Sequence, residues 1–378
     1  MNFEFATAAQ IVFGPGHASE LAKHAASSMT RPALVLGASR RFSELLPNAC
    51  CTVTVAGEPT LDVVRAATAA AREAGADGVV AIGGGSALDA GKAVAMLLAN
   101  GGDPLDYAEL IGAGKPIAQP SLPFIAVPTT AGTGSEATRN AVLFSPEHRL
   151  KVSLRSARML PRLALVDPDL ALDLPPAQTA ASGMDALAQL IEPFLSRRAN
   201  PMIDALCRDG IARAARALPR AVEDGLDRDA RSDMALAALY SGIALANTGL
   251  GAVHGLAGPI GARHNAPHGA VCAALLPGVF ESNYFQSLEV AADPLSRRWK
   301  FEELARTLTG DPNAEPKDGA AWLRALAVKL RIPGLAAYGV RADDALELAR
   351  LAQATSSMKG NPVPLSDDTL ARIVVAAL

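Results

Sequence analysis

Gly78-Val-Val-Ala-Ile-Gly-Gly-Gly-Ser-Ala-Leu-Asp-Ala-Gly-Lys92 is the stretch that decides the fold of this 378-residue chain. Residues 78–82 form a short apolar run of the kind a strand buried on both faces requires. Gly83, Gly84 and Gly85 follow at once, and glycine lets a backbone turn sharply and approach a ligand closely. Ser86 then falls where a helix N-cap is expected, with Asp89 three residues on as its partner in a capping box. A helix beginning there offers N–H groups and the positive end of its dipole to an anion such as a pyrophosphate. The pattern is not the GxGxxG fingerprint, and taken alone it is equally an ordinary strand–helix turn.

A second loop of the same kind lies downstream. Pro123-Phe-Ile-Ala-Val127 reads as another buried strand and runs into Pro128-Thr-Thr-Ala-Gly-Thr-Gly-Ser-Glu136, with four hydroxyls and two glycines within seven residues. Parallel sheets bind ligands at the carboxyl ends of their strands, so two such loops imply a large phosphate-bearing ligand, a dinucleotide for example. The plainer alternative is a polar loop of side-chain-capped turns.

Working outward, strands are expected at 10–13 (an edge), 32–37, 51–55 and 163–166, with helices near 18–27 and 60–75. This alternation predicts a parallel sheet wrapped by helices. Residues 140–144 and 151–154 read as a hairpin, and Leu98–Gln119 as an excursion holding a short helix. Leu174-Pro175-Pro176 breaks the chain, which gives an α/β dinucleotide-binding domain over 1–175 and a second domain over 176–378. In the latter nearly everything has helical period: 177–196, 200–217, 228–247, 250–263, 269–282, 298–308, 317–329, 342–355 and 366–377. The second domain is therefore read as an all-helical bundle.

Length agrees with two domains, because single cores stop growing near ~250–300 residues. Hydrophobic residues make up 50% and charged residues 19%, the profile of a well-packed globular protein. A net charge of −3 argues against nucleic acid or an anionic membrane as the main partner. Cys50, Cys51, Cys207 and Cys272 form no CxxC pair, and scattered thiols suggest a reducing compartment. The opening MNFEFATAAQIVFG lacks the pattern of a signal peptide, and no run offers ~20 apolar residues, so a cytoplasmic location is expected.

The helical half carries its own chemistry in Ser182-Gly-Met-Asp-Ala-Leu-Ala-Gln-Leu-Ile-Glu192. Asp185 and Gln189 are four apart and leave the same helix face, among Met184, Leu187, Ala188 and Ile191. A carboxylate on an apolar face is costly unless something pairs with it. His254 and His268 are the candidates to meet it around a metal ion. Pro267 suits a helix's first turn and puts His268 at the start, while His254 belongs to the helix before. A hairpin of these helices can bring both imidazoles to one point, although each alone is more readily a structural histidine.

At this point the chain resembles the iron-containing (group III) alcohol dehydrogenase family, maleylacetate reductases included. Five segments carry the resemblance in order and spacing: Gly83–Lys92, Pro128–Glu136, Asp167-Pro-Asp-Leu170, Gly183-Met-Asp-Ala-Leu187 and Pro267-His-Gly269. It implies a Rossmann-like α/β N-terminal domain followed by an all-α helical bundle, the dehydroquinate synthase-like architecture, with NAD or NADP in the cleft between them. Gly84, Gly85, Ser86 and Asp89 would form the pyrophosphate loop. Thr129, Thr130 and Thr138 would line the remaining cofactor cleft, with Lys151 and Leu170 near ribose and nicotinamide. Asp185, Gln189, His254 and His268 would form the shell of Fe²⁺ or Zn²⁺, and Asp185, His254 and His268 would be the catalytic groups. A homodimer is expected from the family.

Four departures matter. Where many members carry an Asp for the adenosine ribose, this chain has Gly37-Ala-Ser39 followed by Arg40-Arg41. An arginine there could pair with a 2′-phosphate, so NADP use is expected beside NAD. Gln189 stands where the family usually has histidine, and amide oxygen is the weaker donor for Zn²⁺ or Fe²⁺. Gly258 stands where a further histidine is usual. His264 lies near both gaps and could partly compensate. The site is thus expected to be either a weakened Asp/Gln/His/His metal centre or a metal-free one in which His254 or His268 donates a proton directly.

The leading functional reading is an NAD(P)-dependent alcohol dehydrogenase, or aldehyde or ketone reductase, acting on a small alcohol or carbonyl substrate. A variant is maleylacetate-type reduction of an unsaturated keto acid, whose charge would need Arg139 or Arg263. A third reading is a nucleotide-binding protein that has lost catalysis.

Overall fold

The computed structural model describes residues 2–109, 111–290 and 295–378. The N-terminal unit, Phe5–Leu172, is built on a six-stranded sheet. In chain order the strands are β1 (Gln10–Phe13), β2 (Pro32–Gly37), β3 (Cys51–Val55), β4 (Gly78–Gly83), β5 (Phe124–Pro128), β6 (Asn140–Ser145), β7 (Leu150–Arg155) and β8 (Leu163–Val166). The sheet runs β1-β8-β5-β4-β2-β3, every neighbouring pair parallel, while β6 and β7 form a separate antiparallel hairpin. The helices of this unit are α1 (Leu21–Ala26), α2 (Leu61–Glu73), α3 (Gly85–Asn100) and α4 (Pro104–Tyr107).

The strand sequences explain the layering. Successive side chains of a strand face opposite sides. Val79 and Ala81 of β4, with Phe124 and Ala126 of β5, enter one core together with Val64 and Ala67 of α2 and Leu88 and Val94 of α3. Val80 and Ile82, with Ile125 and Val127, enter the other core beside Leu21 and Leu170. Covered on both faces, these strands need the continuous apolar runs the sequence shows. The register pairs Ile82 with Val127 and Gly83 with Pro128, so the glycine loop and the hydroxyl loop leave neighbouring strands at the same edge.

The second unit, Asp173–Leu378, is helical, and no strand occurs in it among the described residues. Its helices are α5 (Pro176–Leu195), α6 (Pro201–Glu223), α7 (Arg228–Thr248), α8 (Ala252–His264), α9 (His268–Val290), α10 (Leu295–Thr309), α11 (Pro316–Lys329), α12 (Ala345–Gln353) and α13 (Asp367–Ala376). Side chains start several of them: Asn200 caps α6 through the Ile203 N–H, and Asp227 caps α7 through the Ala230 N–H. Helix α5 packs against α6, α7 and α9 and is buried without a break from Gly183 to Leu195. A helix apolar on all sides belongs in a core. Asp185, Gln189 and Glu192 are therefore carried into the interior by their neighbours. Among the described residues no single helix is long and apolar enough to cross a membrane.

Candidate active site

The glycine loop differs in one detail from its expected form. Helix α3 begins at Gly85 and its N-cap is Gly84, in extended backbone, so Ser86 lies inside the first turn. Asp89 forms no capping box. Its carboxylate instead accepts from the Ser135 hydroxyl at 2.5 Å and from the Val142 N–H at 2.9 Å, which ties α3 to the hydroxyl loop and to β6. A β-carbon on Gly85 would meet the Thr133 side chain at 2.8 Å, so only glycine permits the two loops to approach this closely. Ala87 and Leu88 N–H groups return to the Gly84 carbonyl, and the N–H groups of Gly85 and Ser86 stand at the positive end of the helix. Gly84, Gly85, Ser86, Thr129, Thr130 and Thr133 are all half-buried, at the rim of one sheet edge.

Beneath this rim lies a buried cation that sequence reasoning passed over. The Lys92 ammonium donates to the Ser135 carbonyl at 2.9 Å, the Thr138 hydroxyl at 2.7 Å and the Asn140 carbonyl at 2.6 Å, and lies 3.2 Å from Asp89. Burial lowers its affinity for the proton, while Asp89 and Glu136 oppose that. Thr138, expected to line the cofactor, is 2% exposed and its hydroxyl is committed to Lys92. Lys151 pairs with Glu58, and Leu170 packs into the sheet core. The signal for Lys92 was available: it is the lone charge in Ala90-Gly-Lys-Ala-Val-Ala-Met-Leu-Leu98, a run too apolar to face water.

In the helical unit, α5, α8 and α9 bring Asp185, His254 and His268 together. Asp185 Oδ1 lies 3.2 Å from His254 Nε2 and 3.8 Å from His268 Nε2. Gly269 makes this possible, because a β-carbon there would meet the Ala181 carbonyl oxygen of α5 at 2.3 Å. The first N–H groups of α8 are satisfied from outside the helix: Ala252 donates to Asn361 Oδ1 at 3.0 Å and Val253 to Glu192 Oε1 at 2.7 Å. His254 Nδ1 donates to Glu192 Oε2 at 2.6 Å, which fixes the ring and turns Nε2 toward Asp185.

Electrostatics reinforce the cluster. Burial works to raise the Asp185 carboxyl, but His268 and His254 outweigh it and hold it below the usual carboxylate range. Burial likewise opposes a charged His254, and Cys272, Glu192 and Asp185 together hold that imidazole well above its ordinary value. His268 is the open member, its side chain 34% exposed against 4% for Asp185 and 6% for His254.

Two members escaped sequence reasoning. Glu192 closes the quoted helix stretch and orients His254. Cys272 lies four residues after His268 on α9, with Sγ 3.7 Å from His268 Nε2 and 3.8 Å from His254 Nε2. Asp185, His254, His268 and Cys272 each offer a donor atom within 4.8 Å of the others, and His264 is not among them. Gln189 is buried one turn beyond Asp185. Burial, tempered by His254, pushes the Cys272 thiol up to about 12. Arg263 pairs with Glu347 at 2.5 Å on the surface.

The donor set fits a borderline-soft divalent cation: one carboxylate oxygen, two imidazole nitrogens and a sulfur, with Glu192 fixing one ring from behind. Such outer partners change metal affinity 10–100-fold. Glu192→Gln is accordingly expected to weaken cation binding by about one to two orders of magnitude. Titration against a competing chelator measures this, and an unchanged affinity would remove Glu192 from the site.

A parallel sheet with paired glycine and hydroxyl loops, joined in one chain to a helical unit with an Asp–His–His cluster, is the arrangement expected of a nucleotide-dependent oxidoreductase. Comparison with known proteins agrees. Residues 8–168 match the model of the iron-containing alcohol dehydrogenases, and residues 179–378 that of the family's C-terminal domain. The chain is 39% identical over 291 residues to a 4-hydroxybutyrate dehydrogenase of Cupriavidus necator, covering 75% of this chain and 73% of that protein. It is 33% identical over 378 residues to alcohol dehydrogenase 4 of Saccharomyces cerevisiae strain S288c, covering 97% and 96%. A solved 1,3-propanediol oxidoreductase superposes with a TM-score of 0.90 at 31% identity, over 100% of both chains. The chain belongs to the iron-containing alcohol dehydrogenase family and is an oxidoreductase acting on CH–OH groups.

Proposed function

We propose that this protein interconverts a short primary alcohol and its aldehyde with NAD(P), assisted by a divalent cation at Asp185, His254 and His268. The observation that supports this best is the convergence of those three side chains from three helices. A cation there acts as a Lewis acid toward the substrate oxygen. Asp185 supplies negative charge, and His254 presents a nitrogen whose direction is set by Glu192. The exposed edge of His268 marks the side from which a small substrate enters. Gly84, Gly85 and Ser86 receive the pyrophosphate at the start of α3, and the Thr129 and Thr130 hydroxyls flank it. Relatives named for 4-hydroxybutyrate and 1,3-propanediol support a short chain ending in a hydroxyl.

The test is metal content and turnover of protein purified without chelator, before and after stripping and re-addition of Fe²⁺ or Zn²⁺. Turnover should vanish and return. Unchanged turnover in the stripped protein would overturn the metal role and leave direct proton donation by a histidine. No turnover with either nucleotide on any aldehyde would favour a binding protein without catalysis.

Exposed Arg40 and Arg41 follow β2 at the same sheet edge, with no carboxylate between Gly37 and Arg41. Arg40 holds a positive φ of 53°, a tight turn that brings the arginines close to the strand end. The double variant Arg40→Ala, Arg41→Ala is expected to raise KM for NADPH about ten- to a hundredfold and leave that for NADH nearly unchanged, because a charge-assisted contact to a 2′-phosphate contributes ~1.5–3 kcal/mol. Steady-state kinetics with both nucleotides decides it.

A further inference from the structure

We infer that Cys272 is itself a metal ligand, the fourth donor of an Asp185–His254–His268–Cys272 centre. This rests on the metal reading above and goes beyond it. His268 and Cys272 are four apart on α9 and leave the same face one turn apart. Metal–nitrogen and metal–oxygen bonds of ~2.0–2.1 Å and metal–sulfur bonds of ~2.3 Å put tetrahedral N/O donors about 3.3 Å apart, and N–S pairs about 3.6 Å apart. The observed edges are 3.2 and 3.8 Å from Asp185 to the two imidazoles, and 3.7 and 3.8 Å from Cys272 to the same nitrogens. These four edges lie within about 0.5 Å of the spacing a bound cation would need, and all four donors lie within 4.8 Å of one another.

An inert packing role fits less well. Buried cysteines usually face apolar carbon, whereas this sulfur faces two ring nitrogens and sits within 4.8 Å of a carboxylate oxygen. A packed thiol makes only weak hydrogen bonds to its neighbours, while a cation would take all four donors at once. On binding, the S–H bond is replaced by a metal–sulfur bond and the proton passes to solvent. Thiolate softens the site toward Zn²⁺ and away from the hard cations that a Gln189 amide would favour.

The experiment uses the full chain, stripped of metal, free of nucleotide and titrated with Co²⁺, with bound cobalt and near-ultraviolet absorption both measured. The wild type should take up one Co²⁺ per chain with an intense sulfur-to-cobalt charge-transfer band. Cys272→Ser and Cys272→Ala should bind Co²⁺ at least tenfold more weakly and lack the band at saturation. Gln189→Ala should keep the band. Full cobalt uptake by the wild type without the band, or a band that survives in both Cys272 variants, overturns the thiolate ligand and leaves the metal site standing. No cobalt uptake at all overturns the metal site itself.

Discussion

Asp185→Asn is expected to lower kcat/KM by about three orders of magnitude while the protein still folds. Asparagine keeps the shape and one acceptor oxygen but removes the negative charge that faces His254 at 3.2 Å and His268 at 3.8 Å. Asp185 is 3% exposed, so no water replaces what is lost. Lewis-acid assistance contributes several kcal/mol at a transition state, and each ~1.4 kcal/mol is a factor of ten in rate. Steady-state kinetics at saturating nucleotide, paired with a thermal melt to verify folding, measures this. A folded variant within tenfold of the wild type would remove the carboxylate from the chemistry.

The second large effect falls on stability. Lys92→Met is expected to cost about 3–5 kcal/mol, the range seen when one partner of a buried ionic group is removed. Methionine fills the volume but leaves Asp89, the Ser135 and Asn140 carbonyls and the Thr138 hydroxyl facing each other without their common donor. Because those groups shape the hydroxyl loop, KM for the nucleotide should rise as well. Urea unfolding and nucleotide titration read the two consequences separately.

Glu136, buried beside the same lysine, adds a pH dependence. Burial pushes its carboxyl from 4.5 up to about 7, against the opposing pull of Lys92. The folded chain then holds a proton that the unfolded chain releases. Stability therefore falls as pH rises between about 4.5 and about 7, by on the order of 3 kcal/mol. Glu136→Gln should flatten that slope and leave stability at low pH unchanged.

Much of this molecule is legible in the sequence because its signals are periodic. The apolar runs at 32–37, 78–82 and 123–127 become neighbouring buried strands β2, β4 and β5, and each expected helix of the second half has a counterpart from α5 to α13. What fails is local or long-range geometry. Ser86 and Gly84 are both acceptable caps by residue type, and only the extended backbone of Gly84, continuing β4, selects between them. Asp185, His254 and His268 were nameable from type, spacing and resemblance. Cys272 was visible as the residue one turn after His268, but a thiol among apolar neighbours reads as packing until α8 and α5 are set against it. The burial of Lys92 was legible as a lone charge in an apolar run, but its three acceptors come from residues 135, 138 and 140, and no sequence pattern reports that convergence.

The Asp185–His254–His268–Cys272 cluster draws on three helices, and His254 lies 69 residues from Asp185 along the chain. In the unfolded chain these donors scatter, so a cation that joins them binds the folded form far more tightly. Its free concentration then enters the folding equilibrium: at a thousand times the dissociation constant it adds about 4 kcal/mol. On the proposed metal reading, the cluster would be a clasp on the bundle as well as a reaction centre. Cells starved of the metal would lose the protein to proteolysis along with its turnover, and the lifetime of the chain would follow the metal supply.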